Sequence, residues 1–164
     1  RAIEKISGRD AQIKWVNDIF LDGKKVCGIL SEAAVALENT HLDYAVVGIG
    51  VNVCEPEGGF PDELADKATA LFKSGEADGE IRCRLAAEIL NSFFDYYRNI
   101  GQKTFFDDYK KRSFVIGKAV NVITPSSVRP ARATDLDSDC RLIVRYDDGT
   151  TEALNSGEIS IKVD

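Results

Sequence analysis

The chain opens on a short apolar-periodic run, with Ile3 and Ile6 at helical spacing, and breaks at Ser7-Gly8-Arg9-Asp10. Ala11 to Leu21 then carries Ile13, Trp15, Ile19, Phe20 and Leu21, and reads as a strand interrupted at Asn17-Asp18. Asp22-Gly23 is a two-residue hairpin signal, because both residues tolerate the positive φ that a tight type I′ turn demands. Val26 to Leu37 is expected to return antiparallel. The polar stretch Glu38-Asn39-Thr40-His41 predicts a second turn. Tyr44 to Val53 is nearly unbroken apolar residues and glycine, which predicts a strand covered on both faces. The first 53 residues are therefore expected to form a three-stranded meander.

Helical spacing follows. Pro61 suits a first helical turn, and Leu64, Ala65, Ala68, Leu71 and Phe72 continue the pattern to a break at Ser74-Gly75. A longer helix is predicted from Asp78 to Ile100, with Leu85, Ile89, Phe93, Tyr96 and Ile100 as its apolar face and Gly101 ending it. A short third helix carries Phe105, Phe106 and Tyr109. These aromatics, with Trp15 and the cysteines, are read as core. From Ser113 the texture changes to alternating segments: Ala119 to Ile123, Arg129 to Asp135, Arg141 to Tyr146, Thr151 to Leu154 and Ile159 to Val163. Turn chemistry at Pro125-Ser126-Ser127, Asp137-Ser138-Asp139 and Asp147-Asp148-Gly149 separates them, and five short strands at this spacing predict a small barrel. The expected class is α+β: a mixed or antiparallel sheet with helices over residues 1–112, then the barrel over 113–164.

Composition narrows the setting. The 164 residues are 44% apolar and 29% charged, enough to bury a core without disulfide or metal staples. Twenty-one basic against 27 acidic side chains give a net charge of −6 and no basic cluster, which argues against nucleic acid as a partner. No run approaches the ~18 apolar residues of a membrane span, and no signal-peptide pattern is present. Cys27, Cys54, Cys83 and Cys140 lie far apart, and with one histidine they offer no zinc spacing. They read as reduced thiols of a cytoplasmic protein. The absence of methionine and the helix entered part-way suggest a fragment, the alternative being a short protein that has lost its initiator.

Three segments carry the chemistry: Lys14-Trp15-Val16-Asn17-Asp18, Gly23-Lys24-Lys25-Val26-Cys27-Gly28-Ile29-Leu30, and Val47-Gly48-Ile49-Gly50-Val51-Asn52-Val53. Lysines and an Asn-Asp pair, opposite a strand with two glycines, would set positive charge over a surface where a ligand can approach backbone closely. That outlines a site for an anionic ligand. Singly, each element has an ordinary explanation: Lys24 and Lys25 as solvated turn charges, Asn17-Asp18 as a bulge or Asx turn, the glycines as room for a neighbour. Gly48-x-Gly50 fails as a dinucleotide fingerprint, because Val53 holds the third glycine position and no helix opens there.

Together and in this order, KWVND, GKKVCGILSE and GIGVN resemble the biotin protein ligases, whose successive strands read K-W-P-N-D, G-K-K/R-x-x-G-I-L-x-E and G-x-G-x-N-V. Ala68-Thr69-Ala70-Leu71 resembles that family's A-T-S-L segment. Asp148-Gly149-Thr150 and Ser156-Gly157-Glu158-Ile159-Ser160 resemble its SH3-like carboxy-terminal domain. Val16 stands where the family has proline, a change that an extended residue would tolerate. The family's G-R-G-R-x-G loop and the S-T-N segment before it are not in these residues. The resemblance therefore implies the back half of a class II synthetase-like, biotin/lipoyl ligase-type catalytic domain, followed by the barrel.

The resemblance implies an ATP-dependent ligase, with Mg²⁺, that joins biotin to the α-phosphate of ATP and passes it from biotinyl-5′-AMP to a lysine of a biotin carboxyl carrier domain. It assigns Lys25 to the biotin carboxylate and α-phosphate as the catalytic cation. Gly28, Leu30, Gly48 and Gly50 would line the biotin ring. Lys14, Asn17, Asp18 and Asn52 fall at the adenylate, with Asn17 and Asp18 adenylate- or metal-proximal and Asn52 facing adenine. Glu158 either holds the barrel to the catalytic domain or meets ATP or the carrier. The alternative is a catalytically incomplete biotin- or adenylate-binding or interaction module. Unpaired strand edges on such a half-domain predict a homodimer.

Overall fold

The computed structural model describes residues 1–35, 42–156 and 158–161, so the turn expected at Glu38–His41 lies outside the described residues. The first sheet is antiparallel throughout, in the order β1-β2-β3-β4: β1 (Gln12–Lys14), β2 (Asp18–Leu21), β3 (Lys24–Val35) and β4 (Leu42–Val51). It has four strands where three were expected. The residues between Lys14 and Asp18 form a turn that reverses the chain, and it contains a cis Trp15–Val16 peptide bond. Val16 is thus an exposed turn residue, not an extended strand residue. Asn17 ties the turn to β3, accepting from the Ile29 amide at 2.9 Å and donating its Nδ2 to the Ile29 carbonyl at 2.6 Å. Asp22 and Gly23 have φ of 49° and 79°, as a type I′ hairpin requires.

Helices cover part of one sheet face. α1 (Ala2–Ser7) ends at Gly8, whose φ of 68° suits glycine, and packs on α3 (Ile81–Arg98). Ile3, Leu21, Val26, Cys27, Leu71 and Leu85 form the buried centre of this layer. α2 (Asp62–Ala65) is a single turn, so the helix expected to run on to Phe72 is corrected. Ala68 and Phe72 instead form parallel bridges with Lys25 and Cys54, because backbone partners there outweigh a weak helical pattern. α3 stops at Arg98, and Gly101 lies inside a following 3-10 turn. α4 (Phe106–Arg112) completes the group.

Several residues read as core are not. Phe93 of α3 and Ile100 just beyond it are exposed, as is Cys83. β4 is not covered on both faces: Tyr44 and Val46 on one side and Val47 and Ile49 on the other are all exposed. The helical layer packs against Ile29 and Val51, at one end of the β3–β4 ladder, and leaves the rest open.

The second sheet holds β5 (Ala119–Thr124), β6 (Ser127–Leu136), β7 (Leu142–Tyr146), β8 (Thr151–Leu154) and β9 (Glu158–Ile161), all antiparallel in the order β8-β7-β6-β5-β9. Inward residues of all five strands meet in one cluster, which requires the sheet to curl. Trp15, from the first sheet, is buried in that cluster and donates its indole N–H to the Cys140 carbonyl at 2.9 Å. Phe106 and Tyr109 of α4 pack beside it, and the Tyr109 hydroxyl donates to the Val16 carbonyl at 3.0 Å. No described helix is long and apolar enough to cross a membrane.

Candidate functional site

Strand register assembles the site. Lys14 of β1 stands opposite Asp18 of β2, Asp18 opposite Gly28 of β3, and Gly28 opposite Gly50 of β4. Directly paired residues project to the same side, so these four form a row across the sheet. The neighbouring pair, Leu30 opposite Gly48, shares that face. One half of the row is charged and the other has no side chain at all, which leaves backbone open to a ligand.

Lys25 completes the charged half. A bulge between Ile19 and Phe20 shifts the β2–β3 register, and the Lys25 ammonium pairs with the Asp18 carboxylate at 2.6 Å. The lysine is half exposed while Asp18 is more enclosed. An added Cβ at Gly28 would stand 3.3 Å from both Cε and Nζ of Lys25, so the lysine tip lies across the glycine. Around it is an open depression of about 490 Å³ lined by Asn17, Asp18, Lys25, Gly28, Leu30 and Gly48, with Gly50 and the isoleucines between. A more apolar cavity of about 390 Å³ lies toward the helices and includes Ile13, Val51, Ile89 and Phe93. It lacks the arrangement of an ammonium above bare backbone that an anionic ligand needs.

The backbone of Lys25 is fixed by a segment whose part the residue pattern alone did not show. The Lys25 amide donates to the Lys67 carbonyl at 2.8 Å, and the Thr69 amide donates to the Lys25 carbonyl at 2.9 Å. Asn52 joins the same strap. Its Nδ2 donates to the Thr69 carbonyl at 3.0 Å, and its own carbonyl accepts from the Leu71 amide at 3.0 Å. The signal available in the sequence was the Ala68-Thr69-Ala70-Leu71 motif.

Not every candidate residue lines the depression. Lys14 is half-buried in the row but outside the lining, and Asn52 lies past the end of β4 with its amide on the strap. Asn17 lines it while its Nδ2 holds β3. Cys27, one residue from Gly28, is no nucleophile: burial, with the Asp18 charge, pushes its thiol up to about 11. Among the described residues no group of three or more His, Cys, Asp or Glu side chains is placed to hold a metal. The side chain of Glu158 lies outside what is described.

Comparison with known protein families covers the strands of both sheets. The Biotin/lipoate A/B protein ligase family matches residues 1–52, and the family described as Biotin protein ligase C terminal domain matches residues 115–162. The biotin–(acetyl-CoA-carboxylase) ligase of Mycobacterium tuberculosis is 30% identical over 151 residues, 90% of this chain. The chain belongs to the biotin protein ligase family. A second relative, the bifunctional ligase/repressor BirA of Bacillus subtilis, is 40% identical over 101 residues, 60% of this chain. The alignments span 52% of the mycobacterial ligase and 30% of BirA, so the chain covers about half of these relatives or less. The biotin protein ligase of Aquifex aeolicus superposes with a TM-score of 0.77 at 24% identity, covering 99% of this chain and 69% of that one. A structure of the Aquifex ligase in complex with biotin and ATP gives a TM-score of 0.70 at 23% identity, over 99% of this chain and 66% of that one. Biotin protein ligases thus share the α+β arrangement of antiparallel sheets and helices seen here.

Proposed function

We propose that this chain carries part of the active surface of an ATP-dependent biotin protein ligase, which forms biotinyl-5′-AMP with release of pyrophosphate and transfers biotin to a lysine of a carrier domain with release of AMP. One observation carries the reading: an ammonium, Lys25, held at the edge of a sheet face whose neighbouring positions are glycines. A carboxylate that attacks a phosphate is repelled by it, and negative charge accumulates in the transition state, so fixed cations at that point lower the barrier. Lys25 serves as that cation for the biotin carboxylate and α-phosphate. Gly28, Leu30, Gly48 and Gly50 offer backbone and aliphatic surface to the largely apolar biotin ring. Lys14, Asn17 and Asp18 flank the adenylate end. Asn52 keeps its Oδ1 for adenine while its Nδ2 holds the strap.

Mg²⁺ fits this arrangement as an ion brought in with the ATP phosphates. Among the described residues Asp18 is the one carboxylate that lines the depression, and Mg²⁺ commonly takes one or two carboxylates with phosphates and water. The ion would supply charge neutralisation at the phosphates. The domain boundary at 112/113, a cytoplasmic location and pairing of two chains through the edge of β4 belong to the same proposal. The four free cysteines and the exposed Tyr44, Val46 and Val47 of β4 support the last two. In the alternative reading, a binding module, the same face would hold biotin or its adenylate without turnover.

Biotin transfer to a carrier domain, assayed with ATP and Mg²⁺, tests the reading. Lys25→Ala is expected to lower the rate by on the order of 10² to 10³ while leaving the circular dichroism spectrum unchanged. Undiminished transfer by the variant would sink the assignment. Binding of biotinyl-5′-AMP with no transfer by the unsubstituted chain would favour the module.

A further inference from the structure

Resting on the reading that Lys25 meets the anionic part of the ligand, we propose that Asp18 is a positioning residue. It holds the Lys25 ammonium over Gly28, and position 28 is glycine because the lysine tip lies there. A lysine ammonium ends a flexible four-carbon stem, so fixing the backbone alone leaves the charge free to sweep. Here both ends are fixed. The backbone of Lys25 is clamped between Lys67 and Thr69, and its Nζ sits 2.6 Å from Asp18 Oδ1. Asp18 is a rigid anchor, paired with Lys14 on one side and Gly28 on the other. A Cβ at Gly28 would press at 3.3 Å on Cε and on Nζ of Lys25, the latter the atom that Asp18 holds. Lys14 faces Asp18 in the row as well, yet the short ion pair goes to Lys25.

Simple electrostatics and positioning predict opposite signs. Removing a carboxylate beside an anionic ligand should tighten binding by relieving repulsion; removing the group that aims the cation should weaken it. The experiment is calorimetric binding of a sulfamoyl analogue of biotinyl-5′-AMP to the full chain, with and without Mg²⁺. The proteins are the unsubstituted chain, Asp18→Asn, Asp18→Glu, Lys25→Met and the Asp18→Asn/Lys25→Met pair, with thermal melts to show that each folds. Asp18→Asn is expected to weaken binding on the order of tenfold when Lys25 is present, and by less than about twofold when Lys25 is methionine. Asp18→Glu should recover part of the loss. Tighter binding by Asp18→Asn, an equal loss in both lysine backgrounds, or a loss seen only with Mg²⁺ would overturn the proposal while sparing the function of Lys25. An unchanged affinity in Lys25→Met, or no binding by the unsubstituted chain, would overturn the underlying reading as well.

Discussion

Arg112 of α4 donates to Glu4 of α1 and, at 2.8 Å, to Asp108; Arg1 reaches the same Asp108 at 3.0 Å. The hydrogen bond from Arg112 holds the Glu4 carboxyl below the ordinary carboxylate range. At Asp108 burial opposes ionisation, but the bonds from Arg112 and Arg1 outweigh it and this carboxyl is also held low. A carboxyl whose folded value is depressed contributes stability above its ordinary range and loses it as the pH falls through the folded value. The difference in urea stability between the unsubstituted chain and Arg112→Ala is therefore expected to shrink from about pH 6 to about pH 3. A constant difference would leave Arg112 a packing role only. Residue types at the candidate site were legible in the same local way. Lys25 stood out as a hairpin lysine and Asp18 as an acid at a strand break, but their pairing depends on the bulge at Ile19/Phe20, which no local pattern marks.

Among the elements, strands with turn chemistry at both ends were the easiest to read. All five segments after Ser113 became strands, the first four within a few residues of the expected bounds and the fifth starting at Glu158, with its expected end at Val163 outside the described residues, because Gly, Pro and Asp fix their turns. Segment 67–72 was the hardest. Its alanines and leucine suit a helix, but its backbone partners on Lys25, Asn52 and Val53 lie far away in sequence. β4 combines a nearly continuous apolar pattern with exposure on both faces and an outer edge that no described strand pairs. Such an edge is a template for another chain. Sedimentation is expected to show concentration-dependent self-association, weakened by Val46→Lys; a monomer at all concentrations would count against pairing through β4.

Across the whole molecule, Trp15 links the two sheets. It leaves the β1–β2 turn, enters the core of the second sheet and so ties the turn bearing Asn17 and Asp18 to that sheet. Trp15→Ala is expected to cost about 3–5 kcal/mol. It should also raise hydrogen exchange in both sheets, at β2 as well as at β7. A loss confined to the second sheet would mean that the turn holds without its anchor. The sequence by itself determined the strand-rich order of elements, the Asp22-Gly23 hairpin, the helical stretch before Ser113 and the family, because each is written in local periodicity, turn residues or short ordered motifs. Tertiary structure alone decided the row from Lys14 to Gly50, the strap that clamps Lys25 and the sheet that receives Trp15. Those depend on register and long-range backbone partners, and a shift of one residue in register would have turned every one of these side chains to the opposite face.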